Sequence, residues 1–217
     1  MYYVENIIII LICYLLGSIP SGLIIGKLAK GIDIREHGSG NLGGTNAIRV
    51  LGKKLGTIVT VMDILKGGSA VLLGMLWIKM NLTEIDPIIF GMIAVIGHVF
   101  PIFAKFRGGK AVATSAGVLL FFNPVIFVIG LITFTVTLKT TRYVSISSSI
   151  AALMCLVVML GLNLIEAFEN KWYGYETFNY QAVIVIAILV TVIIYRHIPN
   201  YKRLIEGTES KIGQKSN

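Results

Sequence analysis

The stretch from His37 to Gly52 reads HGSGNLGGTNAIRVLG and holds five glycines, two asparagines and one arginine. A corner between two apolar segments needs no such density of permissive, polar backbone. Glycine admits positive φ, so successive backbone N–H groups can turn toward one anion. Arg49 adds charge in a planar fork that suits phosphate oxygens. Three further stretches share this character: FRGGKAVAT with Gly108, Gly109 and Lys110, RYVSISSS with Ser145 and Ser148, and RHIPNYKRLIEGTES with His197, Asn200, Arg203 and Glu209. Four such clusters predict a site for more than one phosphate, or for two phosphorylated molecules.

Two motif matches fail on context. Gly38 to Gly43 fits G-x-G-x-x-G, and Asp63 follows twenty residues later. A dinucleotide fingerprint needs a strand before it and a helix after it in a βαβ unit, whereas both flanks here are apolar helical runs. The GGK of Gly108 to Lys110 resembles a P-loop, but Ala111 stands where Ser or Thr is required. The soluble acyltransferase pattern H-x-x-x-x-D is absent, since Leu42, Phe103 and Lys202 occupy the position it would need after His37, His98 and His197.

The elements that must position these residues are membrane helices. Apolar residues make up 55% of the 217 and charged residues only 14%, against about 25% charged in soluble domains. The apolar runs are 4–25, 55–78, 87–103, 112–122, 125–138, 143–165 and 182–198. Several approach the roughly 20 residues that cross a hydrocarbon core. The expected fold is an all-α integral membrane protein of about seven transmembrane helices, the fourth and fifth short, with a break at Asn123-Pro124. A five-helix version with a re-entrant pair is the alternative. One transmembrane domain is expected over 1–200, followed by a cytoplasmic tail over 201–217, of which the last ten residues read as disordered. The N-terminus lacks the marks of a secretory signal.

Sixteen of the nineteen Lys and Arg lie in one set of loops, while Lys79, Lys171, Glu5, Glu84, Asp86, Glu166, Glu169 and Glu176 lie in the other. The positive-inside rule places the basic set, and with it all four clusters, in the cytoplasm. A net charge of +8 is thereby read as topology and anionic substrates, with no nucleic-acid partner. Cys13 and Cys155 sit in apolar runs and are expected to be buried thiols without a disulfide, metal or nucleophilic role. A transporter is the rival class, since broken helices also build anion sites. Its site usually lies near the midplane between repeated halves, and no repeat is visible here. A scaffold would not require the phosphate-type loops.

GSGNLGGTNAIRVLG, GHVFPIFAKFRGGKAVAT, RYVSISS and HIPNYKRLIEGTE resemble, in order, the signature blocks of the bacterial membrane acyl-phosphate:glycerol-3-phosphate acyltransferases, and GSIPSG at Gly17 and DILKGG at Asp63 extend the likeness. The resemblance implies a multi-pass protein of the bacterial cytoplasmic membrane. It would move a fatty acyl group from acyl phosphate to the 1-hydroxyl of sn-glycerol 3-phosphate, giving 1-acylglycerol 3-phosphate (lysophosphatidic acid) and phosphate. This is the first acylation of phospholipid synthesis. Its partners are those two substrates and membrane lipids; no cofactor or metal is expected, and the protein is expected to act as a monomer. The chain departs from the family pattern at Gly44, where alanine is usual, and at Ala111 and Ser147, where glycine is usual.

Residue roles follow from the local chemistry together with this resemblance. Ser39, Arg49, Lys110, Ser148 and His197 are the expected catalytic groups. Arg49 and Lys110 hold phosphate, and Ser39 acts with the backbone at Gly40, Gly43 and Gly44. Asn41, Asn46, Gly108, Gly109, Ser145, Asn200, Arg203 and Glu209 are expected at the substrate. Ser145 and Ser148 share a helix face at i, i+3. So do His197 and Asn200, although Pro199 between them predicts a fraying helix. Asn200 and Arg203 take glycerol phosphate, with Glu209 orienting a neighbour. Asp63 and Lys66, inside a span, are expected to form an i, i+3 ion pair tethering loops; His98 is expected to make a structural hydrogen bond, and His37 is a loop residue.

Overall fold

A computed structural model describes residues 2–164, 171–172, 175–176 and 179–213. Glu166, Glu169, Lys215 and the end of the C-terminal tail lie outside them. The chain forms two compact units, Met1–Phe122 and Asn123–Asn217.

The first unit contains α1 (Tyr3–Ser18), α2 (Ser21–Lys30), α3 (Gly44–Leu51), α4 (Lys53–Lys79), α5 (Pro87–Val99) and α6 (Val112–Phe122). The first apolar run is broken into two helices. Pro20 lacks an N–H and interrupts the helix, so α1 and α2 meet at a bend of 41°. Asp86 caps α5 by accepting from Ile88 N at 3.0 Å, with Pro87 at the first helical position. Helices α4 and α6 pack backbone to backbone. A Cβ on Gly67 would lie 2.2 Å from Thr114 O, and one on Gly117 would lie 1.9 Å from Ile64 O. Small residues permit that approach where lipid offers no hydrophobic drive between helices. Leu23, Ile34, Leu42, Ala47, Leu51 and Val59 form one core cluster beneath the first glycine loop, and Ile9, Cys13, Ala70, Phe90 and Ala94 form another.

The second unit contains α7 (Pro124–Thr141), α8 (Val144–Leu164) and α9 (Tyr180–Ile205), plus a two-residue antiparallel ladder pairing Lys171–Trp172 with Tyr175–Glu176. Asn123 caps α7 by accepting from Ile126 N at 3.1 Å, so the Asn-Pro pair marks a break between two helices.

The described residues of the seven apolar runs fall mainly on helices, the first run on two, so the all-α membrane class holds, although among those residues five helices, or six counting the bent pair, are long and apolar enough to cross a membrane where about seven were expected. Its details differ from expectation in three places. Among the described residues only α6, of 11 residues, is a short apolar helix. At about 1.5 Å per residue it covers roughly half of a 30 Å hydrocarbon core. The fifth run becomes an 18-residue helix because Lys139, Thr140 and Thr141 extend it; Thr140 and Thr141 bond their hydroxyls back to Val136 O and Thr137 O. Helix α9 runs through Pro199 to Ile205 rather than fraying. The expected disorder of the last ten residues does not extend to 208–213: Thr208 N donates to Arg203 O at 2.8 Å and Ile212 N to Arg142 O at 2.9 Å. Both cysteines are buried and free.

Candidate active site

In the first unit the loop from His37 to Gly43 is shaped by one buried amide. Asn46, 2% exposed, accepts from Ser39 N at 2.8 Å and donates through Nδ2 toward Ile34 O, His37 O and Asn41 O at 3.0, 3.1 and 2.9 Å. Its hydrogen-bonding capacity is therefore used on the loop itself. Asn46 thus shapes the loop with its own amide. Asn41 likewise accepts from Gly43 N at 2.9 Å, a local turn closure. Gly38 and Gly40 require their identity, with φ of +62° and +70°. A Cβ on Gly38 would also lie 2.4 Å from Asn46 Oδ1.

The loop ends at Gly43, the cap of α3, so the positive end of that helix dipole lies at Gly44. Ser39 and Arg49 are exposed. The Arg49 side chain runs beside the loop, its Cδ 3.4 Å from where a Gly38 Cβ would be. Among the described residues its guanidinium has no hydrogen-bond or ion-pair partner. A glycine loop, a helix N-terminus and a guanidinium thus share one surface, an arrangement that can bind an oxyanion.

The second loop, Arg107 to Ala111, lies against the end of α5. Gly109 N donates to His98 O at 3.1 Å. A Cβ on Gly108 would lie 2.1 Å from His98 O, and one on Gly109 would lie 2.0 Å from His98 Nε2. Both glycines are buried close-approach positions, and the loop's charged groups are exposed Arg107 and half-buried Lys110. Ala111 is buried with φ of +70°, and Lys105 and Phe106 also have positive φ. Three non-glycine residues in this region mark a strained loop.

The sequence reading missed the clamp beside these loops. Arg35 binds the Asp33 carboxylate through Nε at 3.0 and 3.1 Å and Nη2 at 2.5 Å, and reaches Ala104 O through Nη1 at 3.1 Å. The segment before the first loop is thereby tied to the segment before the second. The Arg35 guanidinium holds the Asp33 carboxyl below its ordinary range, and Asp33 in turn raises Arg35. The D-x-R spacing beside a glycine loop was the available signal, but the Ala104 contact is 69 residues away in sequence.

The second unit gathers Ser145, Asn200, Arg203 and Glu209. Glu209 Oε1 accepts from Asn200 Nδ2 at 2.7 Å and Ser145 Oγ at 3.4 Å, while Oε2 accepts from Arg203 Nε at 2.8 Å. A carboxylate repels phosphate, so Glu209 orders these donors rather than binding the substrate's anion. Ser148 is 2% exposed and donates to Val144 O at 2.8 Å, which leaves its oxygen as an acceptor in this rotamer. His197 Nδ1 lies 2.7 Å from Ile193 O. A carbonyl only accepts, so Nδ1 carries a proton and the neutral ring keeps its basic lone pair on Nε2. Tyr201, which no motif singled out, is paired with Ser149.

These features have known counterparts. A family model described as glycerol-3-phosphate acyltransferase matches residues 7–207. The glycerol-3-phosphate acyltransferase of Bacillus subtilis is 48% identical over 205 residues, covering 94% of this chain and 96% of that protein. The enzyme of Geobacillus kaustophilus is also 48% identical over 205 residues, with 94% and 95% covered. A crystal structure of PlsY (YgiH), an integral membrane glycerol 3-phosphate acyltransferase in its glycerol 3-phosphate form, superposes with a TM-score of 0.82 at 32% identity and covers 96% of each chain. Its lysophosphatidic acid form gives 0.79 at 31% identity, with the same coverage. With nearly the whole length matched in sequence and in fold, this chain belongs to the glycerol-3-phosphate acyltransferase family of integral membrane proteins.

Proposed function

We propose that the chain transfers a fatty acyl group from an acyl phosphate to the 1-hydroxyl of sn-glycerol 3-phosphate, releasing 1-acylglycerol 3-phosphate and inorganic phosphate. It acts as a monomer in the bacterial cytoplasmic membrane, with its polar loops facing the cytoplasm, and supplies the first acylation of phospholipid synthesis. The observation that carries this reading is the oxyanion-binding surface built by the first loop, the start of α3 and Arg49, unpaired among the described residues. The Ser39 hydroxyl, the start of α3 at Gly44 and Arg49 hold a phosphate there, and Lys110 holds a phosphate at the second loop. The amides of Gly40, Gly43 and Gly109 donate to His37 O, Asn41 Oδ1 and His98 O, so Gly40, Gly43, Gly108 and Gly109 shape the loops instead of binding the anion. His197, Asn200 and Arg203 bind glycerol phosphate, with Ser145 and Ser148 beside them and Glu209 holding the donors in place.

The glycerol oxygen attacks the acyl carbonyl carbon. The bond from that carbon to the bridging phosphate oxygen breaks, and phosphate leaves with the electron pair. The hydroxyl proton passes to a substrate phosphate oxygen, which is present in every turnover, or to His197 Nε2. An acyl phosphate is an activated mixed anhydride, so the protein's work is to orient two anions and offset their repulsion. No acyl-enzyme is required, since a covalent relay would divide a step that is already easy.

Purified protein given labelled glycerol 3-phosphate should form product with acyl phosphate and not with acyl-CoA or acyl carrier protein. Product from acyl-CoA alone overturns the donor assignment. Arg49→Ala and Lys110→Ala should each lower turnover on the order of 10² to 10³-fold in a folded protein, the loss of one charged phosphate contact. Double-reciprocal plots should intersect; parallel lines, with labelled phosphate exchanging into acyl phosphate in the absence of glycerol 3-phosphate, would instead establish a covalent route.

A further inference from the structure

A buried ionic cluster in the first unit takes no part in the chemistry just described. Asp63, Lys66 and His98 are 1%, 6% and 6% exposed, and Ser21 is 2% exposed. Asp63 Oδ1 accepts from Ser21 Oγ at 2.9 Å and pairs with Lys66 Nζ at 2.9 Å, while His98 Nδ1 lies 3.6 Å away. Lys66 also donates to Ile19 O at 3.0 Å, a carbonyl at the break between α1 and α2. The expected i, i+3 pair is therefore the centre of a larger network.

Buried ion pairs are weak contributors to stability, because desolvation cancels much of the attraction. A cluster at this depth calls for another reason, and its surroundings give one. The His98 ring bears on the second loop, with Nε2 2.0 Å and Cε1 2.5 Å from where a Gly109 Cβ would be, while His98 O receives the Gly109 N–H. The Asp63 charge favours the ring form that turns a protonated Nδ1 toward it and Nε2 toward Gly109. Asp63 Oδ2 has no hydrogen-bond partner, so the carboxylate keeps acceptor capacity beside the ring. The first loop meets the same place. Leu42 and Gly109 line one small cavity with Asp63, Lys66 and His98, and a Cβ on Gly22 of α2 would lie 2.2 Å from Leu42 O.

We propose that Asp63, Lys66 and His98 are positioning residues for acyl transfer, holding the Gly108–Gly109–Lys110 backbone so that Lys110 meets a substrate phosphate. The inference rests on the reading of that loop as phosphate-binding. It distinguishes the two ends of the imidazole. In His98→Gln the amide reaches the position of Nε2 and keeps the loop-facing atom. In His98→Asn the amide reaches only the position of Nδ1 and keeps the Asp63-facing atom.

The test measures thermal midpoint, kcat and the KM of each substrate in purified variants. His98→Asn should lose about 10²-fold in turnover, the penalty for misplacing a binding group by roughly 1 Å, with a raised KM for one of the two phosphate substrates. His98→Gln should stay within about 10-fold of the wild type. Asp63→Asn leaves Lys66 unpaired and can fail to fold. Asp63→Asn/Lys66→Gln removes both charges and should fold while losing turnover as His98→Asn does. Wild-type kinetics in His98→Asn overturn the proposal. So does equal loss in His98→Asn and His98→Gln that follows the thermal midpoint, which marks a purely structural histidine. Lys110→Ala separates the two readings. Wild-type turnover there removes the phosphate role of the loop; loss there beside full activity in His98→Asn removes this inference alone.

Discussion

Ala111 shows how one residue carries the constraints of the second loop. Its φ of +70° costs an L-residue about 1–2 kcal/mol. Its fully buried methyl returns about 0.8 kcal/mol, and glycine at the same position would lose about 0.5–1 kcal/mol of extra chain entropy. The effects nearly cancel, which explains how alanine stands where the family usually has glycine. Ala111→Gly should leave the thermal midpoint in detergent within a few degrees, whereas Ala111→Val, β-branched at positive φ with no space around it, should lower both midpoint and turnover. Asp33 carries a pH dependence of definite sign. Its folded pKa is depressed by Arg35, so its contribution is complete above the unfolded value, about 3.9. That contribution is lost as pH falls through the lower folded value. The wild-type thermal midpoint should fall below about pH 4, with a shallower fall in Asp33→Asn.

Between elements, the contact of α3 with α4 decides where the oxyanion surface sits. A Cβ on Gly44 would lie 1.9 Å from Thr60 Oγ1 and 3.0 Å from Thr60 Cβ. The Thr60 hydroxyl is anchored by donating to Gly56 O at 2.9 Å. Glycine at 44, where the resemblance leads one to expect alanine, is thus matched to threonine at 60. Gly44→Ala should destabilise the protein by about 1–3 kcal/mol, the usual cost of overpacking. Gly44→Ala/Thr60→Ala should recover much of that loss. Additive losses in a double-mutant cycle would show that the two positions are not coupled.

At the scale of the molecule, orientation follows from the loop cations. Cysteines placed at exposed Lys54 and Lys202 should be shielded from an impermeant thiol reagent in intact cells, and one at exposed Glu84 should be labelled, in a background lacking Cys13 and Cys155. The reverse pattern would place the polar loops outside and remove their access to cytoplasmic glycerol 3-phosphate. Under the proposed function, the charge bias read as orientation would also concentrate cations on the side where two anionic substrates are held.

The seven apolar runs, the break at Asn123-Pro124 and the glycine-rich character of the first two loops were legible in the sequence because each depends on near neighbours. Hydropathy, side-chain capping and backbone permissiveness act over one or two turns of chain. Packing over longer distances decided the rest. Nothing local announces that Asn46 spends its amide on the loop it follows, that Arg35 reaches Ala104, or that Glu209, expected to orient a neighbour, also accepts from Ser145, 64 residues away. The i, i+3 spacing of Asp63 and Lys66 made their pairing readable, but their meeting with Ser21 and His98 depends on where α2, α4 and α5 pack. Pro199 misled because its ring disfavours a helix interior by about 3 kcal/mol, a local cost that the longer helix outweighs. The sequence determined which residues have the chemistry to hold phosphate. The tertiary structure decided which of them are left exposed on the loops and which are hydrogen-bonded to hold the others in place, because a hydrogen bond is directional and its partner is fixed only once the helices are packed.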